Sequence, residues 1–389
     1  MISKYGLSSA ALVAAILLSA FSCRKEEAIV PSTRTEVTTP GEAGEIAGFF
    51  LLNEGNMGSN KATLDYFDYE TGVYTRNIYA ERNPGVVKEL GDVGNDIQIY
   101  GSKLYAVINC SHFVEVMDAR TAKHITQISI PNCRYITFKD RYAYVSSYAG
   151  PVQIDPNARL GYIAKVDTVT MQVVGECTVG YQPEEMVIVG NKLYVANSGG
   201  YRVPNYDRTV SVVDLDTFTE IKKIDVAINL HRLELDDNGM IWVSSRGDYY
   251  GKNSATYVID SRTDEVVERL ELLPNGNMTL CDGHLYVYST EWNYQTQSNT
   301  VTYATVDVDT RRILTRNFIT DGTDKEIRVP FGLVVNPVTH EIFVTDAKDY
   351  VTPGTLYCFN PDGTKKWSVE TGDAPAHIVF TKRKLQPLQ

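Results

Sequence analysis

A strand–turn–strand pattern recurs seven times along the chain and restricts the fold more than any other feature. Examples are residues 113–122 (FVEVMDARTA) and 209–218 (TVSVVDLDTF), each with an acidic residue where the turn begins. Asp and Asn suit this position because their side chains can hydrogen-bond the turn backbone. Successive turn residues are 46 to 53 positions apart, a repeat length typical of four-stranded propeller blades. The seven are Asp68, Asp118, Asp167, Asp214, Asp260, Asp307 and Asn360.

A second strand, rich in β-branched and aromatic residues, precedes each copy, as in 193–198 (LYVANS). In six copies a tight turn and an inner strand come before it. The first copy lacks an inner strand, whereas 375–380 (PAHIVF) has the inner-strand pattern and no blade after it. We therefore predict an all-β, seven-bladed β-propeller over 48–389, with the C-terminal strand closing the first blade and leaving no open edge.

The N-terminal segment is predicted to be a leader and a tether. In residues 1–22, Lys4 precedes an apolar stretch that ends in small residues, the form of a secretory signal peptide. A transmembrane anchor is disfavoured because it needs about 20 apolar residues, and this stretch is shorter. Residues 23–47 have no apolar periodicity and are predicted to be a flexible tether that begins at Cys23.

The end of the leader, 20–23 (AFSC), resembles a bacterial lipobox, which implies that Cys23 becomes the acylated N-terminus. The next four residues, 24–27 (RKEE), resemble the signal that sends lipoproteins of gut Gram-negative anaerobes to the outer face of the outer membrane. These resemblances imply a protein anchored by lipid to the cell outer membrane and facing the exterior.

Composition and motifs argue against several functions. With 37 Lys and Arg against 48 Asp and Glu, the net charge is −11, so the chain repels nucleic-acid backbones and we expect no nucleic-acid partner. The sequence contains no Gly-x-Ser-x-Gly, Walker loop, His-Glu-x-x-His or Cys-x-x-Cys motif. Its six His residues lack metal-ligand spacing, so we predict no metal and no catalytic cofactor. A binding protein is favoured over an enzyme.

The predicted ligand contacts gather on one face of the propeller. Loops between second and third strands are longer than hairpins require and rich in aromatic residues, and the inner strands start on the same face. Around the channel mouth the inner strands also bring Glu184, Glu185, Asn277 and His377. The predicted ligand-binding residues are Arg134, Tyr148, Tyr201, Arg202, Tyr206, His231, Arg232, Arg246, Tyr249, Tyr250, Trp292, Tyr294, Phe331 and Tyr350.

Several residues have two open interpretations. Arg134 and Arg232 either contact ligand or form structural ion pairs with Glu184 or Glu185. A hydrolase or lyase would need a charged catalytic cluster in the channel, and the one group that could serve is Glu184, Glu185, His231 and Arg232. Cys110 and Cys133 fall on neighbouring loops of the same face, so a disulfide between them is a further hypothesis.

The repeat pattern resembles the YVTN or YncE-like seven-bladed β-propellers, since 193–197 (LYVAN) is close to the pentapeptide that names that family. With the lipobox and tether, the chain most resembles the surface vitamin B12-binding lipoproteins (BtuG type) of gut Gram-negative anaerobes. That resemblance implies capture of cobalamin and transfer to a TonB-dependent outer-membrane transporter. The alternative is a glycan-binding surface lipoprotein of a polysaccharide uptake system, because the same aromatic residues can stack on sugars.

Overall fold

A computed structural model describes residues 30–41, 44–86, 90–270, 273, 275–293 and 298–387, with side chains given outside 291–299. The predicted signal peptide, Cys23 and Tyr294 therefore lie outside the described residues. Within the described part of the chain, no helix is long and apolar enough to cross a membrane.

Six of the seven sheets are four-stranded antiparallel blades whose strands are neighbours in chain order. The strands of blades 2 to 4 are β5 (Gly94–Tyr100), β6 (Lys103–Ile108), β7 (Phe113–Asp118), β8 (His124–Ser129), β9 (Cys133–Lys139), β10 (Tyr142–Ser147), β11 (Tyr162–Asp167), β12 (Gln172–Thr178), β13 (Pro183–Val189), β14 (Lys192–Asn197), β15 (Thr209–Asp214) and β16 (Thr219–Asp225). Those of blades 5 to 7 are β17 (Leu230–Leu235), β18 (Met240–Ser245), β19 (Ala255–Asp260), β20 (Glu265–Leu270), β21 (Asn277–Cys281), β22 (His284–Asn293), β23 (Ser298–Asp307), β24 (Arg312–Thr315), β25 (Pro330–Val335), β26 (Ile342–Asp346), β27 (Pro353–Phe359) and β28 (Lys365–Asp373).

Blade 1 takes its inner strand from the other end of the chain. The C-terminal strand β29 (Pro375–Thr381) pairs antiparallel with β2 (Gly48–Asn53), which is followed by β3 (Thr63–Asp68) and β4 (Val73–Arg76). Because β29 also contacts β5 and β25, the inner strands of all seven blades form a closed ring. The prediction of a seven-bladed β-propeller closed by its C-terminal strand is confirmed.

The outer edge of blade 1 carries a fifth strand that the sequence did not predict. This strand, β1 (Thr33–Glu36), pairs antiparallel with β4, with Thr33 opposite Arg76. All four of its residues are exposed, so backbone pairing rather than apolar burial holds it. The prediction of a flexible tether over 23–47 is therefore corrected for its second half, which runs along the blade. Residues 23–29 lie outside the described part of the chain.

The segment after β1 stays close to the blade as well. Val37 N donates to Gly72 O at 3.0 Å, and Gly72 adopts a φ of +70°. A Cβ at Gly72 would lie 2.1 Å from the Thr38 carbonyl oxygen, so only glycine permits this approach.

The repeated acidic residues cap the outer turns, as the sequence predicts. Asp68 Oδ1 accepts hydrogen bonds from Glu70 N at 2.9 Å and Thr71 N at 3.1 Å. Asn360 differs, because its side chain instead donates to Thr364 Oγ1 at 3.0 Å. The other Asp residues that cap their own turns are Asp118, Asp167, Asp214, Asp260 and Asp307.

The core consists of layers between adjacent blades. The middle strands are buried on both faces, as in β2 and β18, where every residue is buried. One such layer joins Trp242 and Val258 of blade 5 to Leu285 and Val306 of blade 6. Outer strands alternate between exposed and half-buried positions, as β20 does. Burying apolar strands between blades supplies the main stabilising term of the fold.

The two ends of the blades differ. Short turns join first to second strands on one face, the turn face, while loops between second and third strands lie on the opposite face, the loop face. The only described helix, α1 (Ile78–Arg82), follows blade 1, and a 3-10 turn covers Thr323–Lys325. In blade 6 the paired strands β22 and β23 continue to Asn293 and from Ser298, so most of the long loop expected there is strand.

Candidate ligand-binding bowl on the loop face

Irregular pairing near the start of the inner strands turns side chains toward the centre of the ring. In β9, Cys133 pairs with Ser147 but Ile136 pairs with Val145, so two residues face one on the neighbouring strand. This is a β-bulge, which re-aims side chains at a sheet end. The same shift occurs in β13, β17 and β25. The residue pairs at these four bulges are Arg134 and Tyr135, Glu184 and Glu185, His231 and Arg232, and Phe331 and Gly332.

Hydroxyl groups on the second strands stabilise three of these bulges. A bulge leaves a backbone N–H without its usual ladder partner, and such a buried group is costly unless another acceptor reaches it. The acceptors are Ser146 Oγ for Tyr135 N at 3.1 Å, Ser244 Oγ for Arg232 N at 2.9 Å, and Thr345 Oγ1 for Gly332 N at 2.7 Å.

A cavity of about 460 Å³, called the bowl below, opens at the centre of the loop face. Half of the predicted ligand-binding residues line it, and they come from both loops and inner strands. These are Arg134, Tyr201, His231, Arg232, Arg246, Phe331 and Tyr350.

The bowl also contains polar and aromatic residues that the predicted set omits. They lie where inner strands begin or where second strands approach the loop face, so they occupy equivalent places in different blades. Part of this group could have been identified from the sequence by aligning the first three residues of every inner strand. The omitted lining residues are Glu54, Asn95, Asn109, Tyr135 and Tyr288, together with Asn277 and His377, which the sequence placed at the channel mouth without assigning them to the ligand.

A buried carboxylate organises one wall of the bowl. Glu184 is fully buried and lies 3.1 Å from Arg134 Nη2 and 3.6 Å from Arg246 Nη1. Its Oε1 also accepts the Tyr148 hydroxyl at 2.5 Å. Burial alone would raise the pKa of Glu184, but the two guanidinium groups and the Tyr148 hydrogen bond outweigh it and hold this pKa below its usual value. Arg134 is thus both an ion-pair partner and a lining residue.

A second ion pair lies at the base of the bowl. Arg232 Nε is 3.2 Å from Glu185 Oε2, which also accepts Leu233 N at 2.9 Å. Burial raises the pKa of Glu185 despite the nearby Arg232 charge. Next to this pair, burial and then the charge of Glu185 raise the pKa of Glu234 to about 8. The ion-pair interpretation of Arg232 is therefore confirmed. Arg232 also lines the bowl, and its contact with a ligand stays a prediction.

Aromatic and imidazole rings complete the base. The Tyr135 hydroxyl lies 2.7 Å from His231 Nε2, and the Arg232 guanidinium lies 5.6 Å from the Tyr135 ring centroid. Burial, followed by the charges of Arg246 and Arg232, holds the pKa of His231 well below its usual value. His231 is therefore neutral at pH 7 and can accept or donate one hydrogen bond through each nitrogen according to its tautomer.

Below this layer the central channel continues as a separate cavity of about 290 Å³. Tyr135, Arg232 and His377 line both the bowl and the channel, so they form the floor between them. The carboxylates on the channel side are Asp96, Glu185 and Glu234.

Two further cavities adjoin the bowl on the loop face. The outer pocket has a volume of about 690 Å³ and shares Met57, Cys110 and Val152 with the bowl. Tyr148 lines this outer pocket rather than the bowl and is only 3% exposed. The side cavity, of about 290 Å³, shares Arg246 and Gly276 with the bowl and is lined by Tyr249 and Tyr250.

Among the described residues, two predicted ligand contacts, Arg202 and Tyr206, do not line any of these cavities. Arg202 lies over the Tyr181 ring, 3.5 Å from its centroid, and donates to Asn205 O at 2.9 Å. Tyr206 is half-buried on the same loop, where burial and then the Tyr249 phenol raise its pKa. The Trp292 side chain and all of Tyr294 lie outside the described residues.

The charged residues that were considered for catalysis, Glu184, Glu185 and Arg232, all form ion pairs. Glu184 pairs with Arg134 and Arg246, and Glu185 pairs with Arg232. Among the described residues, no group of three or more His, Cys, Asp or Glu side chains is placed to hold a metal ion.

The hypothesis of a Cys110–Cys133 disulfide is wrong in this structure. Both thiols are free: Cys133 is buried, with its Sγ 3.3 Å from Phe113 O, whereas the half-buried Cys110 has its Sγ 3.4 Å from Asn109 Oδ1. The two side chains are thus turned to different partners. Burial raises the pKa of Cys110 to about 11 and of Cys133 to about 12, so neither is a reactive thiolate at pH 7.

We expect the chain from residue 24 onward, unfolded without reductant, to take up five thiol labels, one for each of Cys110, Cys133, Cys177, Cys281 and Cys358. In the folded protein, labelling is expected to be slow at every site, since burial keeps the thiols protonated. Mass spectrometry after alkylation measures both. Uptake of three labels in the unfolded sample would show a disulfide and contradict the structure.

Together, the closed ring and the central cavity define a class: a seven-bladed β-propeller with a polar and aromatic bowl on its loop face. Within that class, the model of the family described as "Domain of unknown function (DUF5074)" matches residues 47–381, and the chain belongs to this family. The match begins one residue before β2 and ends at the last residue of β29, so it spans the complete propeller. A search of curated proteins finds no match.

Solved structures with similar folds include two natural proteins and one designed protein. Hydrazine synthase from Kuenenia stuttgartiensis is 15% identical with a TM-score of 0.56, covering 69% of this chain and 77% of that one. A quinoprotein alcohol dehydrogenase-like protein from Bacteroides thetaiotaomicron is 14% identical with a TM-score of 0.55, covering 86% and 78%. The computationally designed Ika8 protein is 12% identical with a TM-score of 0.53, covering 89% and 94%. At these identities the likeness shows the fold alone.

Proposed function

We propose that this protein captures cobalamin in the bowl and passes it to a TonB-dependent outer-membrane transporter, without catalysing a reaction. The observation that carries the proposal is the lining of the bowl, where Tyr, Phe, Asn and Arg side chains converge at the centre of the loop face. A corrin ring is apolar over its faces and carries amide groups at its edge. It therefore needs aromatic surfaces and amide or guanidinium partners together.

The rigidity of the lining supports tight binding. Arg134 and Arg246 are held by the buried Glu184, and Arg232 is held by Glu185. The rings of Phe331 and Tyr350 meet edge to face, with centroids 5.4 Å apart. Side chains that are already fixed lose little conformational freedom when a ligand arrives, so more of the contact energy appears as affinity.

The arrangement of cavities also suits a large ligand. The bowl alone, at about 460 Å³, lies within the usual range for small-molecule sites. It shares lining residues with both the outer pocket and the side cavity, so a bulky ligand seated in the bowl can extend into its neighbours. These three joined cavities therefore suit cobalamin better than a single small metabolite.

A lipid anchor at Cys23 would place the bowl toward the membrane. The first residue of β1, Thr33, pairs with Arg76 at the end of β4 that lies on the loop-face side. The segment from Cys23 to Thr33 would span at most about 35 Å when fully extended. We therefore propose an outer-membrane lipoprotein that faces the exterior and holds its loop face near the transporter that receives the ligand.

Cyanocobalamin titrated into the chain from residue 24 onward is expected to bind, and Tyr201→Ala and Tyr350→Ala are each expected to weaken binding by about tenfold or more. Both residues line the bowl and supply aromatic contact area. Tyr100→Ala is the matched control, because Tyr100 ends β5 on the turn face and stacks on Phe138. Isothermal titration calorimetry measures the affinities. Absence of binding at micromolar ligand would reject the proposal, as would equal losses in all three variants.

Glycan binding is the second candidate, and a specific feature favours it. Tyr249 and Tyr250 are 61% and 80% exposed beside the side cavity, and exposed aromatic rings suit the faces of sugars. A glycan array with the same protein separates the two candidates, since a glycan receptor should retain particular oligosaccharides while showing no affinity for cyanocobalamin.

A further inference from the structure

The side cavity has a lining that differs from the bowl. It lies between the blade 5 loop after β18 and the start of blade 6, and hydroxyl, amide and cationic side chains surround it. Its volume of about 290 Å³ matches the lower limit for small-molecule sites, enough for one ring-sized group.

Three polar atoms in this lining are buried and have no hydrogen-bond partner among the residues that the structure describes. They are Asn275 Oδ1, Ser289 Oγ and Thr290 Oγ1. Asn275 is fully buried and Ser289 is 1% exposed. The Asn275 amide nitrogen is already engaged with Thr256 Oγ1 at 3.2 Å, which leaves its oxygen as an acceptor beside the cavity. Buried polar atoms are normally paired, because an unpaired one is costly, so three around one cavity indicate a missing partner.

A ligand that carries several hydroxyl groups in a small volume can satisfy these atoms. Asn275 Oδ1 requires a donor, whereas the Ser289 and Thr290 hydroxyls each donate and accept. A sugar ring has adjacent hydroxyl groups that meet all three requirements at once. Tyr249 and Tyr250 at the cavity supply aromatic surface for the ring.

Two cations of the lining favour a negative charge next to that ring. Arg246 and Lys252 both line the side cavity, and Arg246 also lines the bowl. Guanidinium and ammonium groups are the side chains that bind phosphate. The anion would therefore sit where the side cavity opens into the bowl.

We propose that the side cavity binds a sugar ring with an attached phosphate, and that in the loaded protein this is the ribose phosphate of the nucleotide attached to the corrin in the bowl. The second clause rests on the proposed function, whereas the first rests on the unpaired atoms and on the two cations of the lining. Asn275, Ser289 and Thr290 hold the ring hydroxyls, and Arg246 and Lys252 hold the phosphate. The side cavity thus distinguishes complete cobalamins from corrinoids that lack the nucleotide.

The test compares two corrinoids on two proteins. In the double variant Ser289→Ala/Thr290→Val, cyanocobalamin is expected to bind about tenfold or more weakly than to the unmodified chain, because two hydrogen bonds are lost. Dicyanocobinamide, which lacks the nucleotide, is expected to bind both proteins equally. Removing unpaired hydroxyls leaves no partner unsatisfied, so the variant should fold with unchanged stability. Ser102→Ala, an exposed hydroxyl on the turn face, is the matched control.

Equal losses for the two corrinoids, or no loss for cyanocobalamin, would overturn the proposal. If neither corrinoid binds the unmodified chain, the proposed function fails, and ribose 5-phosphate then decides about the side cavity. Saturation-transfer NMR is expected to show ribose 5-phosphate contacting the unmodified chain and not the double variant. Absence of contact with the unmodified chain would overturn the sugar-phosphate site as well.

Discussion

A chain that ends at Asp373 is expected to lose about 5 kcal/mol or more of its free energy of unfolding and to associate through its open edge. The truncation removes β29, which pairs along the whole of β2 and contacts β5 and β25. It uncovers Phe50 and Leu52, which are fully buried, and deletes Leu385, which packs in the same core layer. Urea unfolding and size-exclusion chromatography measure the two effects.

A second deletion serves as the control for this truncation. Removing residues 24–36 also deletes a strand, β1, but all four of its residues are exposed and it lies at the outer edge of its sheet. The unfolding midpoint of that variant is expected to stay close to that of the unmodified chain. A synthetic peptide of residues 374–389 should restore the monomer of the truncated chain. Similar stabilities for the two deletions would show that the ring does not depend on its C-terminal strand.

The repeat reveals the fold because each blade is specified by local patterns. Apolar alternation defines the middle strands, and the Asp side chains that cap the outer turns mark where each blade reverses. The inner strand of blade 1 could be assigned from the far end of the chain because the repeat left one copy incomplete. Strand β1 was missed because its four exposed residues carry no apolar signal. The extension of β22 and β23 was missed for a similar reason, since pairing alone defines it.

The candidate site was less predictable because its geometry depends on pairing between strands. The bulge in β9 turns both Arg134 and Tyr135 to the centre, but local sequence at that point shows only one continuous strand. Tyr148 was assigned to the ligand as a loop aromatic, and its hydroxyl instead meets the buried Glu184. Whether a loop tyrosine faces ligand or a buried carboxylate is decided by the neighbouring blade, which lies about 50 residues away in repeats of this length.

Glu184→Gln is expected to lower the free energy of unfolding by about 3–5 kcal/mol at pH 7, because it breaks a buried ion pair and leaves charge without compensation. Arg134 and Arg246 lie 3.1 and 3.6 Å from this carboxylate, and Arg134 is only 13% exposed. Urea unfolding at pH 7 measures the loss. Glu176→Gln is the matched control, since Glu176 is exposed on β12 and should change stability by less than about 0.5 kcal/mol.

The pH dependence of this difference tests its electrostatic origin. In the folded protein the pKa of Glu184 lies below its ordinary value of 4.5, mainly because the arginine charges outweigh the effect of burial. A carboxyl whose pKa is lowered by folding stabilises the protein above its unfolded pKa and loses that contribution as pH falls through the folded pKa. The stability gap between the unmodified chain and Glu184→Gln should therefore be constant from pH 7 to about pH 5.5 and shrink below pH 4.5. A gap that stayed constant down to pH 3 would mean that shape, rather than charge, makes Glu184 necessary for the wall of the bowl.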